Sequence, residues 1–222
     1  MNIKIALLAA WSIAGSSPTL AVNSDWEVLW VKDDITIHTK ELAGHNFPVF
    51  RGQTIFESNI HVIVSQIVDT TKHMEWMYRC IESRVLKNIS ASEAVFYNRV
   101  DAPFPISDRD IVAYAKVRVN RTGHEILIEF KAIKNILQPE IDGVVRIPKL
   151  EGFYRLKILG PNKTHVIYQV EADVAGYIPK FLANLATKRL PAYTLLALRN
   201  RVYTVGRSQR LPNNFFENLP KY

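Results

Sequence analysis

Residues 95–119 read VFYNRVDAPFPISDRDIVAYAKVRV. Two runs rich in β-branched and aromatic residues flank a loop that carries Pro103 and Pro105. That is the pattern of neighbouring strands joined by a loop. In the second strand one face carries Ile111, Ala113, Ala115, Val117 and Val119. The other carries Val112, Tyr114, Lys116 and Arg118. Polarity turns the first face inward. Two alanines at its centre leave space beneath the sheet. That space is either a cavity or room for large neighbouring side chains. A cavity lined this way would be apolar, as small-molecule sites usually are.

The same alternation recurs on both sides of this segment. Strands are expected at Trp26 to Val31, Ile35 to Lys40 and Phe47 to Phe56, with a turn at Asp33-Asp34 and Gly52 as a candidate bulge. Further strands are expected at Arg84–Lys87, Glu93–Val100, Glu125–Ala132, Gly152–Leu159 and His165–Ala172. Ile126, Ile128, Phe130 and Ala132 form an inward face, and so do Val166, Tyr168, Val170 and Ala172. Short turns between consecutive strands imply antiparallel pairing. Asn59 can cap a helix carrying Ile60, Ile63, Val64, Ile67 and Val68. A short second helix is expected to hold Met74 and Met77 on one face. A last helix starts at Pro179 with Ile178, Phe181, Leu182 and Leu185 in one stripe. Pro191 should kink or interrupt it. Leu195, Leu198, Val202 and Val205 continue one side before Gly206. The fold class is therefore α+β, a curved antiparallel sheet closed by a long C-terminal helix.

The chain has 222 residues, which suits one domain with short extensions. At 48% hydrophobic and 22% charged it is neither disordered nor a coiled coil throughout. A single cysteine excludes a disulfide framework and a four-cysteine zinc site. Residues 1–21 read as a secretory signal peptide. Lys4 lies in a basic start, Ile5 to Ala14 form an apolar run too short to span a membrane, and Thr19-Leu20-Ala21 offers a cleavage site. The expected division is a signal at 1–21, one domain at 22–206 and an irregular tail at 207–222. A soluble periplasmic product is expected. The net charge of +7 is uneven. Residues 176–222 hold eight basic side chains and one acid. They are either a solvated helix face or a surface that docks transiently on anionic lipid. Nothing in the sequence carries a nucleic-acid-binding motif.

Several motifs in order resemble the START lipid-transfer family. One is the central segment itself, with Tyr97, the Pro-x-Pro loop and Arg109-Asp110 opening the next strand. Downstream are Gly152-Phe153-Tyr154, Lys163 to Tyr168, and Asp173-Val174-Ala175-Gly176-Tyr177-Ile178-Pro179 followed by Asn184. Upstream are Val68-Asp69 and Trp76. The resemblance covers about residues 26–206 and implies a helix-grip fold. It implies an apolar tunnel for one lipid and a lid made by the C-terminal helix and the loop at about 101–108. Carried over, Phe104 stands at the lid tip. Tyr97, Arg99, Ala113, Ala115 and Phe130 belong to the tunnel wall, with Phe181, Leu182, Leu185, Leu195 and Leu198 on the helix. Lys180, Lys188 and Arg189 would face a membrane. Some members place a charged pair inside the tunnel, whereas here the inward positions are largely apolar. Arg99 either reads a headgroup or faces solvent. Arg109 either meets a headgroup at the tunnel mouth or makes a structural ion pair. The second reading is preferred, with Arg109-Asp110 as the structural pair and Asp108, Asp69 or Asp173 as possible carboxylate partners.

Catalytic patterns are sparse. No two of the six histidines stand at i, i+4, and neither a G-x-S-x-G elbow nor a phosphate loop occurs. Cys80 reads as core or edge. No metal or cofactor is expected. The sequence points to a monomeric, non-catalytic binder of a lipid, sterol or similar ligand, with transfer between membranes. The alternative is a helix-grip enzyme, a cyclase or hydrolase, using a pair such as Tyr97 with Arg99.

Overall fold

In the computed structural model, which describes residues 26–42, 47–134, 137–176 and 178–205, one long sheet closes around one long helix. The proposed signal at 1–21, the boundary at 206 and the tail at 207–222 lie outside the described residues. β1 (Glu27–Lys32) and β2 (Ile35–Lys40) form a hairpin. Asp33 and Asp34 both have positive φ at its turn, which fits the right-handed twist of the flanking strands. β3 (Val49–Phe56) follows. Then comes α1 (Ile60–Val68), capped by the Asn59 side chain accepting from His61 N at 2.9 Å. A 3₁₀ turn leads to α2 (His73–Trp76). This helix is a single turn and does not align its methionines: Met74 is exposed whereas Met77 faces the interior.

The remaining strands are β4 (Cys80–Ser90), β5 (Glu93–Val100), β6 (Arg109–Asn120), β7 (Glu125–Ala132), β8 (Val145–Arg146), β9 (Lys149–Gly160) and β10 (Lys163–Asp173). The sheet order is β1-β2-β3-β10-β9-β7-β6-β5-β4, with antiparallel pairing along that path. β8, absent from the sequence reading, pairs in parallel with the first two residues of β6. It anchors the segment 137–147 against the outer face of β5 and β6.

α3 (Lys180–Val205) runs unbroken through Pro191, so the expected interruption does not occur. Pro179 precedes the helix, and its carbonyl accepts from Leu182 N and Ala183 N. The main neighbours of α3 are β2, β3, β10, α1 and α2. Its C-terminal half buries Leu195, Leu198 and Val202 completely, in a cluster with Ile37, Phe56, Ile63, Leu156 and Val166. Gly52 is not a bulge. It pairs in register with Ile37 and Tyr168. Its role is clearance, since a Cβ there would lie 2.6 Å from Leu195 Cδ1 and 3.0 Å from Ile37 Cδ1. The helix therefore sits close against β3 at this point. Its N-terminal half spans the concave face of β5, β6, β7 and β9 instead of packing into it.

Gly52→Ala should destabilise by about 1–3 kcal/mol through overpacking. That corresponds to roughly 2–4 °C of Tm per kcal/mol for a chain of this size. Leu195→Ala in the same chain should show a favourable coupling with it in a double-mutant thermal unfolding series. A neutral Gly52→Ala would contradict the close approach.

Candidate functional site

Cross-strand partners in an antiparallel sheet share a face, so the pairing of β5 with β6 decides what points inward. Ala94 opposes Ala115, Phe96 opposes Ala113, Asn98 opposes Ile111 and Val100 opposes Arg109. These residues face the helix. Tyr97 opposes Val112 and Arg99 opposes Asp110, and that set faces the other way. Between the inward set and α3 lies a cavity of about 510 Å³. One wall is Phe96, Ala113, Ala115, Phe130, Tyr154 and Tyr168. The other is Leu182, Leu185, Ala186 and Leu190. Ala102, Pro103 and Ile106 of the β5–β6 loop close one side. Phe130 lies across Gly152, where a Cβ would meet its ring at 2.5 Å. Tyr154 and Tyr168 stack with ring centroids 4.4 Å apart, and burial pushes the Tyr168 hydroxyl up to about 12 and that of Tyr154 well above its usual range. Both therefore stay neutral.

The expected site residues divide. Ala113, Ala115, Phe130, Leu182 and Leu185 line the cavity. Tyr97 does not. It is fully buried on the outer face with Val95 and Val112, against Leu86, Ile133 and Ile141, beneath the Arg84 guanidinium at 4.5 Å. Burial pushes its hydroxyl up to about 12, with Asp110 adding to the shift. Arg99 neither enters the cavity nor stands free in solvent. Its Nε and Nη2 both donate to Asp108 Oδ2, at 3.0 and 2.6 Å. Leu195 and Leu198 belong to the filled core and not to the wall. Phe181 and Phe104 point outward, 69% and 95% exposed. The pairing expected of Arg109 with Asp110 is absent, because adjacent strand residues point to opposite faces. Asp110 instead accepts from Arg146 Nε at 2.6 Å and Nη2 at 3.0 Å. Asp110 is only 1% exposed, and removing one partner from such a buried pair costs about 3–5 kcal/mol.

Arg109 turns inward and lines the cavity. Burial lowers its pKa, partly offset by nearby Asp108, and it remains a cation. The β5–β6 loop is pinned at both ends while its tip is exposed. Asp101 N donates to Arg79 O, Arg79 Nε donates to Asp101 O, and the two side chains pair. Asp108 Oδ1 accepts from Ala102 N at 3.2 Å. Lys180, Lys188 and Arg189 lie along the N-terminal half of α3, and Arg189 borders the cavity. Arg199 donates to Asp33 O, and Arg201 pairs with Glu75, so part of the C-terminal charge is spent internally.

A polar cluster at one side of the cavity was missed in the sequence. His73 Nε2 donates to Ile67 O at 2.9 Å, and its Nδ1 accepts from Asn98 Nδ2 at 3.2 Å. Ser83 Oγ donates to Asn98 Oδ1 at 2.6 Å. With both ring nitrogens engaged, His73 has no free position for proton transfer. Burial holds it below the ordinary imidazole range. Cys80 is a thiol pushed up to about 11 by burial, and it donates to Glu82 O. No apposed base activates it among the described residues. The arrangement is suited to enclosing an apolar molecule.

A family model described as START domain matches residues 20–202. A protein of Pseudomonas aeruginosa described as uncharacterised is 28% identical over 200 residues, 90% of this chain and 96% of that one. The phosphatidylcholine transfer protein of Rattus norvegicus is 25% identical over 176 residues, 75% of this chain and 78% of that one. The crystal structure of a STAR-related lipid transfer protein fragment from Xanthomonas axonopodis superposes with a TM-score of 0.74 at 27% identity. It covers 81% of this chain and 99% of that one.

The unfolded chain protonates its histidines near pH 6.5, while the folded chain keeps buried His73 neutral to a lower pH. Stability is thus full above that value and is lost as pH falls toward the lowered folded pKa. Tm should decline on acidification through this window, and His73→Gln should flatten part of the decline. His61 and His165, also lowered by burial, add to the decline in the same direction. An unchanged pH profile in His73→Gln would contradict this.

Proposed function

The chain belongs to the START domain family, and on that premise we propose that it binds one hydrophobic molecule in the cavity and transfers it between membranes. The observation that carries this reading is the cavity of about 510 Å³ between an alanine-bearing sheet face and the N-terminal half of α3. It is of the size and apolar character of small-molecule sites. Burying an apolar chain is worth about 0.8 kcal/mol per CH₂. A long chain or a ring system therefore binds tightly with no bond made or broken. The similarity to lipid transfer proteins supports the same reading. The satisfied His73 and the protonated Cys80 favour it over an enzyme, and Tyr97 with Arg99 lies outside the cavity.

The gate is the exposed tip of the loop at 101–108 together with the start of α3. Phe104 and Phe181 are large apolar groups held in water. Lys180, Lys188 and Arg189 stand on the same helix. This combination suits transient docking on anionic lipid, where each cation contributes about 1 kcal/mol. With the leader at residues 1–21, the working place is the periplasm, and the chain acts there as a monomer.

Ala115→Trp should fill the cavity beside Ala94 and Phe130. Uptake of NBD-labelled cholesterol or NBD-labelled palmitate from vesicles should fall at least tenfold, while the far-UV spectrum stays native. Undiminished uptake would place the ligand elsewhere. Co-sedimentation with phosphatidylglycerol vesicles should weaken steeply with salt, because surface attraction is screened over about 8–10 Å at physiological ionic strength. Phe104→Glu should weaken it further. Equal binding to neutral vesicles at high salt would reject the docking surface.

A further inference from the structure

Arg109 is buried in the cavity wall and forms no ion pair among the described residues, although Asp108 lies near enough to favour its charge. It keeps 7% of its surface exposed. Its Nη1 donates to the Ser107 carbonyl, and its Nε has no acceptor. A guanidinium carries five N–H donors, so most of this one's capacity is unspent. Every carboxylate that the sequence offers as a partner is engaged elsewhere. Asp108 is held by Arg99 and by Ala102 N. Asp110 is clamped by Arg146. Asp69 pairs with Lys72, and Asp173 accepts from Ala175 N. Asp101, in the same wall, belongs to Arg79. A buried charge is ordinarily balanced by an opposite one. Here none of those side chains pairs with the guanidinium, and the nearby Asp108 is shared with Arg99.

The position of Arg109 gives direction to the cavity. It stands at the base of the loop at 101–108, beside Gly176 at the approach to α3, where a Cβ would lie 3.7 Å from Nη2. Ala113, Ala115 and Phe130 run away from it along the inner face. Arg189 of α3 borders the same cavity with its side chain exposed, and it forms no ion pair among the described residues. The wall at Arg109 is therefore cationic, and the face that runs on from it through Ala113, Ala115 and Phe130 is apolar.

We propose that the molecule taken up is an amphiphile with an oxyanion headgroup, a carboxylate or a phosphate, held by Arg109 at the mouth while its apolar chain lies along Ala113, Ala115 and Phe130. The proposal rests on the carrier reading above and narrows it. Planar oxyanions match the guanidinium fork and form charge-assisted hydrogen bonds, which are stronger than neutral ones. A neutral alcohol of the same chain length fills the apolar part equally well but leaves the guanidinium unanswered.

The test uses the lipid-extracted mature chain loaded with the neutral fluorophore N-phenyl-1-naphthylamine. Laurate, monododecyl phosphate and dodecanol are titrated as competitors. At least one of the two acids should displace the fluorophore at a tenfold or lower concentration than dodecanol. Which acid does so distinguishes a fatty acid from a phosphate headgroup. Arg109→Gln should collapse that ratio toward one, and Arg109→Lys should keep part of it. The wild-type ratio is decisive even if a variant fails to fold. Equal displacement by acid and alcohol would overturn the proposal and leave the carrier reading standing. So would a preference that survives Arg109→Gln. Failure of the fluorophore and of all three competitors to bind would overturn both.

Discussion

The seat of α3 on Gly52 is the contact on which the rest of the structure depends. Leu195 and Pro191 approach β3 so closely there that a single added Cβ would clash with Leu195. The C-terminal half of the helix is thereby fixed against β2 and β3, inside a filled core. The unbroken helix carries its N-terminal half across the concave face instead of into it. The side chains beneath that half include Ala94, Ala113 and Ala115. Small residues on one wall and a helix held at a distance leave a space that neither side fills. The cavity is thus a consequence of where the helix is tight.

Charge is arranged around this space in two opposite ways. On the outer face of β5 and β6 the ionised groups are matched. Asp110 meets Arg146 and Asp108 meets Arg99, so the strand ends and the β5–β6 loop are held in place. On the inner face Arg109 is left over. The two faces differ by one residue in the alternation of β6. A one-residue slip of register would exchange Arg109 with Asp110 and dismantle both arrangements. The β8 pairing at Arg109 and Asp110 helps to hold that register.

Much of the fold was legible in the sequence because its signals are periodic. The alternation in 111–119 identified the inward face of β6, and the spacing around Asn59 identified α1. The resemblance to the START family supplied the arrangement of sheet and helix. What failed depended on contacts between distant segments. Tyr97 and Arg99 look like tunnel residues because both faces of β5 are buried, so polarity does not tell them apart. The outer face is covered by the segment 137–147, whose two-residue strand leaves no period to read. Pro191 reads as a helix breaker, yet its ring packs near Gly52 within an unbroken helix. Arg109 was assigned a structural pairing because buried arginines are usually paired. Only the register showed the nearby acids to be taken.

The space under α3 has the size and apolar lining to hold one hydrophobic molecule. Native mass spectrometry of the protein, purified without detergent and measured before and after organic extraction, addresses this directly. A discrete extra mass in a one-to-one complex, lost on extraction and regained on incubation with membrane lipid, is expected. A bare protein mass in every case, with no uptake from lipid, would contradict it.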